Sequence, residues 1–347
     1  MSAELLEDLR KTTRQALGAP GAGDIVDELD LIGMLIGPDR GGLGLGDGEM
    51  ALVSEELGRA LSPSSFLPTV VLAATLLVNA GRDAASEALA ALVAGSPCAV
   101  AVSDADGVWA PSARTVSAVP AAGGWRLSGA VWGLSTPARP DTVLTVAAVE
   151  GGAALFAVQT DDAEITPADQ LDSSRGLIRV DLSQAPARLL SDGQAAAGAI
   201  AAAYRRGLLA VAAEQVGLGR ACLETAVEYA KTRSQFGSPI GSFQAVKHRC
   251  AEVLLDVELA DAVLDQAVQT GALVDAELAF AVATRAAVHS TESCIQIHGG
   301  IGFTWEHSAH RYLRRARVNA TLLGPPEVHR NAIAASAGLT TSEGEGQ

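Results

Sequence analysis

The segment at residues 229–244, YAKTRSQFGSPIGSFQ, places an arginine and a phenylalanine close together at the end of a predicted helix. A glycine and a proline follow them, so the helix should end near Arg233. A turn that presents Arg233, Gln235 and Phe236 suits an anion beside a flat ring, because a guanidinium binds phosphate through two hydrogen bonds and phenylalanine offers a stacking face. The alternative is a surface arginine and a core phenylalanine at an ordinary helix end.

A second segment, QIHGGIGFTW at residues 296–305, contains two adjacent glycines after an amphipathic stretch. Gly299 and Gly300 allow the backbone to approach a ligand closely, and their N–H groups could face a phosphate. The alternative is a glycine that ends a helix, which is common.

Three blocks of the chain must position these segments. Helical spacing predicts helices from residue 1 to about 95, short β-prone runs occupy 96–190, and helical patterning returns at 191–337. This order predicts an α+β fold with an N-terminal helical domain, a middle antiparallel β domain and a C-terminal helical domain. Residues 338–347 are predicted to form a disordered tail.

Two stretches carry the helical pattern in the first block. Residues 24–35 and 49–61 each place apolar side chains on one side of a helix. In the second stretch, Glu55 and Glu56 are predicted to face solvent. The apolar run at 66–77 is too short to span a membrane and predicts a buried helix.

The composition argues against several classes of partner. The chain has 347 residues, 48% of them hydrophobic, and a net charge of −15. Nucleic acids and anionic membranes both attract basic surfaces, so neither is an expected partner. The acidic N-terminus does not predict a signal peptide, and the four cysteines lack metal-binding spacing, so we expect a cytoplasmic protein with reduced thiols.

Together, the two segments resemble the strongest signatures of the acyl-CoA dehydrogenase superfamily. The pattern R-x-Q-F-G-x-P-I-x-x-F-Q stands at residues 233–244, and Q-x-x-G-G-x-G-F stands at 296–303. The stretches GGLGL at 41–45 and EELGRAL at 55–61 match the family as well. The chain looks most like short actinobacterial members that act in the breakdown of steroid or other bulky acyl-CoA esters.

The resemblance implies FAD as cofactor, an acyl-CoA thioester as substrate and an electron-transfer flavoprotein as electron acceptor. It also implies a C-terminal four-helix domain that completes the FAD site of a neighbouring subunit. The cofactor-binding residues that it implies are Arg233, Gln235, Phe236, Gln244, Gln296, Gly299 and Gly300.

The implied reaction needs a general base that removes the α-proton of the thioester. The family's usual glutamate precedes a Gly-Thr or Gly-Ser pair, and Leu323 stands at that position here. Some members place the glutamate on the first C-terminal helix instead, where this chain has Gly207. Glu214 and Glu327 remain as candidate bases, and the alternative for each is a solvated or ion-paired carboxylate.

The middle domain also departs from the family pattern. The family's Thr-Glu-Pro-Gly loop, which contacts flavin, is replaced by the shorter stretch at 102–107. Gly133 and Leu134 follow Trp132, where the family has Ile and then Thr or Ser. The isoalloxazine end of this chain's own flavin site is therefore expected to be degraded.

An arginine-rich stretch precedes Leu323, and its residues are Arg311, Arg314, Arg315 and Arg317. It is expected either to contact CoA phosphates or an acidic partner subunit, or to form an exposed helix face. His307 and His310 have helical spacing but no third ligand nearby, so no metal site is expected.

Two hypotheses remain open at this point. In the favoured one, the chain is the base-less subunit of an α2β2 heterotetramer and shares FAD sites with a homologous acyl-CoA dehydrogenase subunit. In the other, it is a self-sufficient homo-oligomeric acyl-CoA dehydrogenase with a relocated carboxylate base.

Overall fold

The computed structural model describes residues 3–19, 23–104, 107–109, 115–136 and 139–339. Within these ranges, every helix is too short or too polar to cross a membrane. Most of the predicted disordered tail lies outside the described residues.

The first block is helical, as predicted. Its elements are α1 (Ala3–Leu17), α2 (Ile25–Glu28), α3 (Asp47–Ala60), a π-helical segment (Phe66–Ala73), α4 (Ala74–Asn79) and α5 (Asp83–Val93). The single helix expected at 24–35 is wrong, because α2 stops after one turn and a 3₁₀ turn follows at Leu31–Gly33. Asp30 between them has φ 51°, a left-handed conformation that interrupts a right-handed helix.

The predicted solvent exposure of Glu55 and Glu56 on α3 is also wrong. Both carboxylates are buried, and arginines from distant parts of the chain neutralise them. Arg10 donates to both, at 2.9 Å and 2.7 Å, and Arg220 donates to Glu55 at 2.5 Å. A buried carboxylate is tolerated when it is paired in this way.

The middle block forms one sheet of seven strands. They are β1 (Cys98–Ser103), β2 (Val116–Ala121), β3 (Gly124–Leu134), β4 (Thr142–Val149), β5 (Gly152–Gln159), β6 (Glu164–Pro167) and β7 (Leu177–Ser191). The sheet is mostly antiparallel, as predicted, but β1 and β4 pair in parallel. Because β1 also pairs with β3, β3 with β7, β7 with β5 and β5 with β4, the ladder closes on itself as a barrel.

The third block is again helical. It contains α6 (Gly193–Thr232), a hairpin of β8 (Ser234–Gln235) and β9 (Ser238–Pro239), α7 (Gln244–Thr270), α8 (Leu273–His298), α9 (Ala309–Asn319) and α10 (Pro326–Ser336). The 40-residue α6 packs tightly on α3. A Cβ on Gly58 would lie 2.1 Å from the carbonyl oxygen of Glu214, so this contact requires glycine.

Candidate functional site

The two positions at which the resemblance implies a general base, Gly207 and Leu323, meet inside the molecule. A Cβ on Gly207 of α6 would lie 3.1 Å from Leu323 Cδ1 and 3.0 Å from Leu72 Cδ2. Leu323 itself is 2% exposed and belongs to the main hydrophobic core. A side chain from either position would therefore enter the same small space, and in this chain hydrocarbon fills it.

A cavity of about 250 Å³ opens beside Leu323 and reaches strands β1 and β3. We call it the chamber. Its apolar lining includes Leu72, Val100, Val102, Trp109, Trp132, Leu134, Leu177, Val318, Leu322 and Leu323. Its volume lies below the roughly 300–1,000 Å³ typical of ligand pockets, so it leaves little room for a large ligand.

One carboxylate, that of Asp104, stands among the described residues that line the chamber. Asp104 Oδ1 accepts a hydrogen bond from the backbone N–H of Val108 at 2.9 Å, which closes the loop after β1. Asp104 is not among the bases predicted from the sequence. Its position just beyond a β-prone run is the signal that could have identified it.

Glu214, the first candidate base, lies away from the chamber in a buried ion-pair network. Arg175 donates to its Oε2 at 2.5 Å and Arg315 donates to its Oε1 at 2.7 Å. Burial opposes ionisation, but the charges of Arg175 and Arg315 outweigh it and lower the pKa of Glu214. A carboxylate with both oxygens engaged and a lowered pKa is a poor proton acceptor.

Arg315 is the centre of this network, and neither expectation for it was correct. It is 1% exposed, so it cannot contact CoA phosphates or form an exposed face. Besides Glu214 it binds Asp172, and its Nη2 donates to Ser174 Oγ at 2.6 Å. Arg315 thus neutralises the negative charges of two buried or partly buried carboxylates, Asp172 and Glu214, which come from other parts of the chain.

Glu327, the second candidate base, is exposed in the first turn of α10. Negative side chains are favourable at a helix N-terminus, so this position has an ordinary structural explanation. His329 of the same helix is buried, and its Nε2 lies 3.3 Å from the carbonyl oxygen of Gly324.

The first sequence motif forms the exposed β8–β9 hairpin. Arg233 ends α6, and its backbone N–H donates to the carbonyl oxygen of Tyr229 at 2.9 Å. Phe236 and Gly237 form the turn with φ 55° and 82°, and the Phe236 side chain is 94% exposed. Two positive φ values in a two-residue hairpin turn fit the right-handed twist of the strands.

The second motif forms the turn after α8. Gly299 has φ 63°, and a Cβ on Gly299 or Gly300 would meet no atom within 4 Å. The space above this backbone is therefore open, and a ligand could approach it closely. Gln296 is exposed on the last turn of α8.

A stack of three rings joins the two motifs. The ring of His298 lies 4.3 Å from that of Tyr229 and 4.1 Å from that of His307. Tyr229 is one turn before Arg233, and His298 directly precedes Gly299. The hairpin and the glycine turn therefore lie at the same end of the helical domain. We call this end the motif surface.

The remaining predicted cofactor residues are also exposed there. Gln244 begins α7, and Gln235 Nε2 donates to the carbonyl oxygen of Ser234 at 2.8 Å. Together, the motif surface offers one guanidinium, three side-chain amides, an aromatic ring and exposed backbone N–H groups. These are the groups that an adenine dinucleotide requires.

Comparison with known proteins identifies the family. Residues 198–338 match the model described as acyl-CoA dehydrogenase, C-terminal domain. The chain is also 32% identical over 302 residues to acyl-CoA dehydrogenase IpdE2 of Mycolicibacterium smegmatis, a match that covers 87% of this chain and 83% of IpdE2. The chain belongs to the acyl-CoA dehydrogenase family. Members of this family are FAD-dependent flavoproteins.

Two further acyl-CoA dehydrogenases are similar over most of this chain. FadE34 of Mycobacterium tuberculosis is 35% identical over 303 residues, which are 85% of this chain but 39% of FadE34. The chain therefore spans less than half the length of FadE34. One chain of the solved ChsE4–ChsE5 complex from Mycobacterium tuberculosis is 26% identical to this chain with a TM-score of 0.84, and the match covers 99% of this chain and 99% of that chain.

The two ends of a possible FAD site fit the acyl-CoA dehydrogenase cofactor unequally. At the motif surface, Arg233 and the open Gly299–Gly300 backbone have the chemistry that the ADP part requires. In the chamber, a Cβ on residue 133 would lie 2.1 Å from the carbonyl oxygen of Val100, so the approach of β3 to β1 requires Gly133. The resemblance implies a Thr or Ser hydroxyl two residues after Trp132, but Leu134 stands there in this chain. The chamber residues therefore do not fit a flavin ring.

Proposed function

We propose that this chain is the base-less subunit of a heteromeric, FAD-dependent acyl-CoA dehydrogenase. The partner is a homologous subunit that supplies the general base, and the proposed assembly is an α2β2 heterotetramer with shared FAD sites. The observation that carries the proposal is the contact between Gly207 and Leu323, since both possible base positions converge there without a carboxylate.

The motif surface gives this chain a positive role in such a complex. Arg233 and the Gly299–Gly300 backbone would hold the pyrophosphate of FAD that the partner binds, and Phe236 would cover a flat part of the cofactor. FAD supplies the hydride acceptor for α,β-dehydrogenation of the acyl-CoA thioester. The likeness to the ChsE4–ChsE5 complex supports a two-component assembly. An electron-transfer flavoprotein is the proposed electron acceptor.

The proposal predicts the flavin content of the purified protein. The chain alone should carry no more than about 0.1 FAD per subunit, because its own chamber does not fit the ring. Co-expression with a homologous subunit that has an intact glutamate should give a yellow mixed tetramer whose flavin bleaches with acyl-CoA. Flavin absorbance measures the FAD content and its bleaching by acyl-CoA, and native mass spectrometry measures the subunit composition. A lone chain with one FAD per subunit that bleaches would refute the proposal.

A second candidate function is a self-sufficient homo-oligomeric acyl-CoA dehydrogenase, and Asp104 is the observation in its favour. If Asp104 were the base, Asp104→Asn would abolish bleaching while flavin stays bound. We expect instead that a mixed tetramer carrying Asp104→Asn bleaches within about twofold of the wild-type rate in stopped-flow measurements, because the partner subunit supplies the base. Asp161→Asn, an exposed carboxylate paired with Arg139, serves as a matched control.

A further inference from the structure

Another cavity lies between the N-terminal helices and the β barrel. Its volume is about 520 Å³, within the roughly 300–1,000 Å³ typical of ligand pockets. Its walls come from α2 and the turn after it, the π-helical segment, the end of α5 and the loop after β3. Among the described residues it shares no lining residue with the chamber. We call it the acidic cavity.

Negative charge dominates the polar part of the acidic cavity. Asp24, Asp27 and Asp30 contribute three carboxylates, and the described lining residues include no lysine, arginine or histidine. The Asp24 carboxylate accepts hydrogen bonds from the backbone N–H groups of Val26 at 3.1 Å and Ser65 at 2.7 Å. Asp27 and Asp30 are exposed, and neither forms an ion pair with the described residues. The helix α5 also ends here, and the C-terminus of a helix favours cations.

A buried hydroxyl in the cavity wall has no partner. Thr69 lines the cavity and is 5% exposed, and its Oγ1 forms no hydrogen bond with the described residues. In an α-helix a threonine hydroxyl often bonds the carbonyl oxygen four residues earlier, but Thr69 lies in the π-helical segment. An unsatisfied buried hydroxyl is costly, and a hydrogen-bond donor held in the cavity would satisfy it.

We propose that the acidic cavity binds a small organic ammonium ion that carries a hydrocarbon chain. Asp27 and Asp30 balance the charge of the ammonium group, which donates a hydrogen bond to Thr69 Oγ1. The hydrocarbon packs on the apolar part of the wall, which consists of Val26, Ile32, Leu92, Val93 and Pro97.

The cavity favours an organic cation over a metal ion. Among the described residues, no group of three or more His, Cys, Asp or Glu side chains is arranged to hold a metal. Both oxygens of Asp24 are already engaged, and much of the remaining wall is hydrocarbon. The inference does not rest on the proposed function, because none of these residues belongs to the chamber or the motif surface.

Calorimetric titration of the full-length chain with hexylammonium chloride at pH 7 tests the inference. Asp27→Asn and Asp30→Asn should each weaken binding about two- to fivefold, as expected for loss of an exposed charge pair. Asparagine tolerates the left-handed φ of 51° at residue 30, so the backbone should not change. Asp39→Asn is the matched control, because Asp39 is an exposed carboxylate outside the cavity that pairs with Arg40. It should leave the affinity unchanged.

Thr69→Val tests the orphaned hydroxyl separately. It should weaken hexylammonium binding about fivefold, the usual effect of one lost hydrogen bond. It should not lower the urea midpoint of the unliganded chain, because the hydroxyl has no partner to lose. If Thr69→Val destabilises the chain and leaves binding unchanged, the hydroxyl is structural and the inference is overturned.

The neutral analogue hexanol and the anion hexanoate should both bind much more weakly than hexylammonium. Equal binding of hexanol would show an apolar pocket without selection for charge. Equal losses in the Asp27 and Asp39 variants would show only a general effect of net charge. Either result overturns the inference, as does the absence of hexylammonium binding at millimolar concentration.

Discussion

Glu214→Ala should lower the free energy of unfolding by about 3–5 kcal/mol, because it leaves two buried arginines without their shared anion. Arg175 and Arg315 both bind Glu214 in the interior, and each side chain is less than one tenth exposed. Urea unfolding monitored by circular dichroism at pH 7 measures the change. Glu228→Ala is the matched control. Glu228 pairs with Lys231 on the exposed face of α6, so its loss should cost less than about 1 kcal/mol.

The same network predicts how stability depends on pH. The pKa values of Glu214 and Asp172 are both lowered in the folded protein; burial alone would raise them, but the arginines reverse the sign. A lowered pKa stabilises the fold above the unfolded-state value of about 4, and this contribution disappears as pH falls through the folded-state value. Wild type should therefore lose stability more steeply than Glu214→Ala below pH 4. If the free energies of unfolding of the two proteins fell in parallel as the pH was lowered, the predicted contribution of the Glu214 ion pairs would be wrong.

Arg233→Ala should weaken FAD binding by the mixed tetramer about 10- to 100-fold, because a charge-assisted hydrogen bond to phosphate contributes about 1.5–3 kcal/mol. The side chain is exposed at the end of α6, so the fold should not change. Fluorescence titration of the apo-tetramer with FAD gives the dissociation constant. Arg233→Lys should recover only part of the affinity, because lysine keeps the charge but loses the two-pronged geometry.

Arg249→Ala is the control for a general effect of charge. Arg249 is exposed on α7, close in sequence to the hairpin but outside the motif. It should change FAD affinity less than about twofold. Equal losses in the Arg233 and Arg249 variants would indicate that only the net charge matters, and the specific contact would then be rejected.

Local patterns predicted the elements that carry the motifs. A helix end near Arg233 was expected from the glycine and proline after it, and α6 ends at Thr232. The α, β, α order followed from the change in periodicity, because helices and strands repeat their apolar residues at different intervals. Phe236 is exposed, which agrees with a turn that presents its ring and excludes the alternative of a core phenylalanine.

The buried charges could not be predicted in this way. Glu55 looked like a solvent-facing residue of an amphipathic helix, but its partners Arg10 and Arg220 lie 45 and 165 residues away in the chain. Arg315 and Asp172 are 143 residues apart. Ion pairs of this kind depend on which elements pack together, and periodicity within one element carries no information about that packing. The convergence of Gly207 and Leu323 is a tertiary property of the same type.

The left-handed turn at Phe236 has a consequence for the speed of assembly. A non-glycine residue in this conformation costs about 1–2 kcal/mol, and the isolated chain already adopts it. The hairpin is thus preorganised, and a partner subunit would meet it as a rigid body without a loop-ordering step. Encounter should then depend mainly on diffusion and charge, and differences in affinity among hairpin variants should appear in the dissociation rate.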